Sequence, residues 1–178
     1  MKILKIVILL SYSFLGVSQS NVTVAVNLSL PTVALLDIES SNTAISLALQ
    51  APAEAGNAVT IPTNNTTKWL NFTSAVATGG SRRITAQITS VTIPSGLQLQ
   101  LSAGSYSGSG AGTLGSAAPG IFLSGTAQNI VTGIGAGYTG TGNSNGYLLN
   151  YGLIINNYSQ LRFNLSTTVT VTFTLTDN

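Results

Sequence analysis

Apolar and polar residues alternate along most of this chain with a period of two, the spacing of a β-strand that buries one face. In "NVTVAVNLSL", Asn21 to Leu30, Val22, Val24, Val26, Leu28 and Leu30 share one face; Asn21, Thr23, Ala25, Asn27 and Ser29 share the other. The same alternation predicts strands in "AISLALQ" from Ala44, with Ile45, Leu47 and Leu49 aligned, and in "TKWLNFTSAV", where Trp69 lies opposite Leu70 and Phe72. "RRITAQITSVTI" aligns Ile84, Ala86 and Ile88, then shifts register after Ser90 through Val91 and Ile93, which predicts a bulge. "GLQLQLSA" alternates through Leu97, Leu99 and Leu101. "GIFLS", "QNIVTGI" and the more continuously apolar "YLLNYGLII" follow, and "TTVTVTFTLT" closes the series with Val169, Val171, Phe173 and Leu175 on one face.

No segment carries a helical period. About ten strands, separated by Gly, Pro, Asn and Ser clusters, predict an all-β fold: a single antiparallel β-sandwich, Ig-like in kind, rather than βαβ units. Two long Gly-rich stretches, Gly104 to Gly120 and Gly133 to Gly146, are uncharged and are expected to be loops. Such loops are functional, disordered, or closely packed through the backbone freedom of glycine.

The segment before the first strand has a different pattern. Met1 to Ser20 carries Lys2 and Lys5, an apolar run from Ile6 to Leu10 that resumes at Phe14 and Leu15, and small residues at Gly16, Ser18 and Ser20. These are the parts of a secretory signal peptide, and the run is too short for a membrane span. The expected organisation is therefore a signal peptide over 1–20, an N-terminal arm over 21–31 and a sandwich domain over 32–178, secreted to the cell exterior. What remains after Ser20 is large enough for one core, and with no cysteine in the chain no disulfide supports it.

Charge is scarce. The formal net charge of +2 comes from Lys2 and Lys5, leaving Lys68, Arg82, Arg83 and Arg162 against Asp37, Glu39, Glu54 and Asp177. Nucleic-acid binding needs clustered cations, so it is not expected, and neither is membrane insertion. Solubility then rests on Ser, Thr and Asn, or the chain associates with copies of itself.

Candidate chemistry is sparse as well. G-x-G-x-x-G occurs at Gly110, Gly112, Gly115 and again at Gly135, Gly137, Gly140, but a dinucleotide site needs a helix after the glycines and an acid about 20 residues on. Neither follows, so chance matching in a Gly-rich loop is the better reading. Without His or Cys there is no imidazole base, thiolate nucleophile or soft metal ligand, and no enzyme activity, cofactor or metal is expected. A Ser-Lys arrangement around Lys68 is conceivable, although nothing in the sequence places a serine beside it. Asp37 and Glu39 in "LLDIE" share a strand face and could flank a glycosidic bond or bind Ca²⁺. The simpler reading buries Leu35, Leu36 and Ile38 and leaves the acids in solvent at the strand end. Arg82 and Arg83 form a small cationic point, suited either to pairing across a subunit interface with Asp37, Glu39 or Glu54 or to solvation at a strand start. N-x-[ST] sequons at Asn21, Asn27, Asn64, Asn65, Asn71, Asn157 and Asn164 are candidate N-glycan acceptors.

A leader, an alternating strand "NVTVAVNLSL" directly behind it and a helix-free body ending in "TVTVTFTLTDN" together resemble the secreted prokaryotic pilin-like, fibre-forming β-sandwich subunits. That resemblance implies an N-terminal strand donated to the next subunit, with Val22, Val24, Val26, Leu28 and Leu30 as the groove-filling set. It departs from the chaperone-usher pattern, having no cysteine pair and Asp177 in place of a penultimate aromatic. Segments such as "TVALLDIE" and "WLNFTSAV" are also similar to secreted β-sandwich proteins of environmental bacteria, a likeness that implies no activity.

The expected function is thus a filament subunit, a head-to-tail homopolymer acting in adhesion, with surface glycans or other cells as further partners. The alternative is a monomeric secreted adhesin or carbohydrate-binding module whose Gly-rich loops present Tyr106, Tyr138 and Tyr147.

Overall fold

The alternating segments assemble into two antiparallel sheets, described by a computed structural model for residues 20–162 and 166–178. In chain order the strands are β1 (Val33–Glu39), β2 (Asn65–Ala75), β3 (Arg82–Ile88), β4 (Leu97–Ser107), β5 (Ala111–Gly112), β6 (Ser116–Ala117), β7 (Ile121–Phe122), β8 (Gln128–Ile134), β9 (Gly137–Tyr138), β10 (Gly146–Ile155) and β11 (Val171–Asp177). One turn of 3-10 helix, Tyr158–Gln160, lies between β10 and β11; no α-helix occurs among the described residues.

The larger sheet is built around β2. β1 pairs along one edge of it from Val33↔Ala75 to Glu39↔Trp69, while β10 and then β9 take the other edge. β4 lies beyond β10, and β7 beyond β4. The smaller sheet has the order β11, β3, β8, β6. Alternation decides which side chains meet between the sheets. Leu70, Phe72, Leu101, Tyr147, Leu149 and Tyr151 come from the larger sheet and Ile84, Ala86, Ile130, Val131 and Ile134 from the smaller, and together they form the buried core of a β-sandwich.

The most continuously apolar segment, β10, pairs with β4 along its length and with β2 over Tyr147 to Tyr151, whereas β1 and β11 lie at sheet edges. Continuous hydrophobicity thus tracks a central position, where both faces lose solvent.

Several expectations are corrected. Ala44 to Gln50 is not a strand. Ile45, Leu47 and Leu49 are half-buried at alternate positions, and Ile45 and Leu47 pack on the core, but only Gln50 forms a bridge, to Thr60. Period two reports burial on one side; it does not supply a neighbouring strand. The bulge expected after Ser90 is instead a strand end, since β3 stops at Ile88, while ladder irregularities occur where β3 meets β8 and where β10 meets β2 and β4. In β1 the core-facing residues are Leu36 and Ile38, whereas Leu35 is 63 % exposed on the opposite face beside the acids.

Nor are the Gly-rich stretches free loops. β4 runs on to Ser107, and β5 from the first stretch pairs with β9 from the second, so the two loops are each other's partners. At Gly112, with φ +96°, an added Cβ would run into the Ala136 carbonyl. Glycine here allows two backbones to close, and the packed option for these loops is the one realised.

The chain divides between Leu30 and Pro31 into two units. Every strand of the described residues belongs to the second unit, Pro31–Asn178. Asn21 to Leu30, in the first, enters no ladder.

Candidate functional site

The five aliphatic residues of the arm have no cover. Val22, Val24, Val26, Leu28 and Leu30 are 72–92 % exposed, in contrast to the sandwich, whose large apolar side chains mostly point into the core. An alternating aliphatic row left in water is a contiguous apolar surface of the kind that marks an interaction site. Its backbone is free of ladder bonds as well. The segment has no charge and no proline before Pro31, so none of the usual devices that discourage strand pairing is present.

The polar candidates have other places. Arg82 is neither a solvated strand-start residue nor a reserve for an intersubunit pair. It is buried, its Nε donates to Asp177 Oδ1 at 2.6 Å, and its Nη1 donates to the Val33 carbonyl and to Ser74 Oγ. One guanidinium therefore ties the edge of the larger sheet to the edge of the smaller. Arg83, on the other face of β3, donates to Asn178 Oδ1 at 3.1 Å.

Lys68 is buried at the start of the core face of β2. A serine does lie beside it, but through its backbone: Nζ donates to the Ser41 carbonyl at 2.7 Å and to Thr43 Oγ1 at 3.2 Å. Ser41 Oγ lies 2.9 Å from Thr43 Oγ1 rather than on the amine, so the lysine anchors the chain after β1 through the Ser41 carbonyl and the Thr43 hydroxyl.

Asp37 and Glu39 do share the outer face of β1, next to Asn71 and Trp69 on β2, and Asp37 Oδ1 accepts from the Ile38 amide at 2.8 Å. They line a shallow pocket of about 120 Å³ with Leu35, Thr73, Gly140 and Thr141. No group of three or more His, Cys, Asp or Glu suited to a metal occurs among the described residues.

Of the three loop tyrosines, two serve the interior. Tyr147 is buried, its hydroxyl donating to the Leu114 and Gly115 carbonyls, and burial together with neighbouring Tyr106 pushes its pKa up to about 12. Burial also raises that of Tyr151. The Tyr106 hydroxyl donates to the Thr139 carbonyl and accepts from the Gly110 amide. Only Tyr138 is half exposed, so the three present no common face.

Among the sequons, Asn21, Asn27, Asn64 and Asn157 are exposed and Asn65 is half-buried. Asn71 leaves the set of surface acceptors, because it is 5 % exposed and its Nδ2 donates to the Gly142 carbonyl. Asn164 lies outside the described residues, as does most of the expected signal peptide, residues 1–19. Among the described residues no helix is long and apolar enough to cross a membrane. Sequence reasoning missed the Arg82 clamp, since Arg82 and Asp177 are 95 positions apart and no local signal connects them. No family model, curated protein or solved structure matches the chain.

Proposed function

We propose that this chain is a non-enzymatic, pilin-like structural subunit of an extracellular filament, polymerising head to tail by β-strand complementation. The observation that carries the reading is the arm: ten residues of strand-forming sequence that enter no ladder and hold five aliphatic side chains in solvent. Burying each is worth about 1.5 to 3 kcal/mol, so the gross gain on insertion into a neighbour is roughly 7 to 15 kcal/mol before ordering costs. Because the arm and its receiving site are different surfaces, the contact is heterologous, and a heterologous contact that does not close on itself grows a filament.

Negative-stain microscopy of the secreted protein tests this directly, with filaments expected. Deleting Asn21 to Leu30 should abolish them and leave a folded monomer that binds a synthetic peptide of that sequence. Filaments that persist without the arm would overturn the proposal.

A monomeric adhesin or carbohydrate-binding module is the second reading. It is favoured by the outer face of β1 and β2, where Asp37 and Glu39 line an open pocket beside Trp69. It expects no filaments under any condition and binding that survives loss of the arm.

A further inference from the structure

We infer that the free edge of β11, Val171–Asp177, is the surface that receives the arm of a second copy of this chain. The inference rests on the filament reading above and adds the receiving site to it.

Strand addition requires a sheet edge long enough to pair with an extended segment. Among the described residues five strands lie at sheet edges, and β5, β6 and β7 are only two residues long. That leaves β1 and β11, each of seven residues, as the long strands that pair with no strand along the whole of one side.

The two differ in how their edges are protected. β1 carries Asp37 and Glu39 on its outer face, and its Val33 carbonyl already accepts from Arg82. Charges on an edge and occupied backbone groups are the ordinary means of discouraging further pairing. β11 has neither over most of its length. It reads Val-Thr-Phe-Thr-Leu-Thr before Asp177, and that one charge is held by Arg82 at the strand's end. Its ladder bonds go to β3 on one side; on the other it pairs with no strand of the described residues, although β1 of the facing sheet comes into contact with it.

Side-chain pattern points the same way. Val171, Phe173 and Leu175 pack against the core yet remain only half-buried, so apolar surface is left for another strand to cover. Thr172, Thr174 and Thr176 form the outer row. The arm has the same two-faced composition, aliphatic on one side and Asn, Thr, Ala and Ser on the other. Placed beside β11, its Val and Leu residues extend the core row while its hydroxyls and amides lie next to the threonines, a favourable cross-strand pairing on both faces.

The absence of cysteine makes the test clean, since each pair of introduced thiols reports alone. Ala25→Cys, at the centre of the arm's polar face, is combined in turn with Thr172→Cys, Thr174→Cys and Thr176→Cys, and in a control with Leu35→Cys on the outer face of β1. All are conservative changes on outward-facing positions, and microscopy establishes that each variant still forms filaments. A disulfide needs Cα atoms about 4.4 to 6.8 Å apart, so only a neighbouring strand qualifies. Mild oxidation should convert the monomer band on a non-reducing gel into a ladder of multimers for at least one β11 pair, and leave the Leu35 pair monomeric. A ladder from the Leu35 pair alone would overturn the β11 assignment and leave the filament reading standing. An intramolecular disulfide would show the arm pairing with its own sandwich, and a parent protein that forms no filaments would remove the reading beneath; either result overturns the inference.

Discussion

Arg82 Nε lies 2.6 Å from Asp177 Oδ1, and the two residues are opposite one another at the end of the β3–β11 ladder. The pair is asymmetric: the Arg82 side chain is 4 % exposed and that of Asp177 78 %. Arg82 also satisfies Val33 and Ser74, which belong to the other sheet, so the two partners should contribute unequally. Arg82→Leu leaves the part-buried Val33 carbonyl without its donor and opens the contact between sheets; a loss of about 3 kcal/mol is expected. Asp177→Asn removes a solvent-screened charge and should cost about 1 kcal/mol or less. Urea denaturation of both variants checks the difference, and equal losses would contradict the clamp.

A single charge in the arm should separate folding from assembly. Val26→Asp changes a side chain that is 72 % exposed, so the thermal midpoint of the monomer is expected to stay within about 2 °C of the parent. Inserted into a neighbour, the same carboxylate would be buried without a partner, and filament yield should fall at least tenfold. Sedimentation and melting of one preparation give both readings.

Tyr147 makes stability depend on alkaline pH. Its folded pKa, about 12, exceeds the ordinary tyrosine value of 10, and Tyr151 is raised in the same direction. Between pH 10 and 12 the folded state therefore holds more protons than the unfolded one, and stability falls as pH rises through that window. Below pH 10 the contribution is fully present. Tyrosinate absorbance should show the buried pair ionising only as the sandwich unfolds, and Tyr147→Phe, lacking the Leu114 and Gly115 bonds, should lose about 1 kcal/mol near neutrality while flattening the alkaline decline.

Gly146 begins β10 with φ +89°, and a Cβ there would collide with the Leu70 carbonyl across the ladder. Gly146→Ala adds left-handed strain to that collision and is expected to destabilise by roughly 1 to 3 kcal/mol. Gly125→Ala is the comparison, with negative φ and nothing within 4 Å of an added Cβ, and it should be near neutral. A chemical melt of the two variants suffices.

Alternation by itself determined the fold class and the inward faces of β2, β3, β4 and β11, because a strand with one buried face writes its burial directly into successive residues. It also singled out Asn21 to Leu30 as an apolar row in need of cover. It did not distinguish β2, which has ladders on both edges, from Ala44 to Gln50, which has almost none, since a neighbouring strand is supplied from elsewhere in the chain. Tertiary structure decided the rest. It turned two Gly-rich stretches into partners, drew Arg82 and Asp177 together from 95 residues apart, and withdrew Tyr147 and Asn71 from the surface. It also set β1 and β11 at the sheet edges. Each of these depends on which distant backbones come within hydrogen-bonding reach, a property of the assembled sandwich that no local pattern encodes.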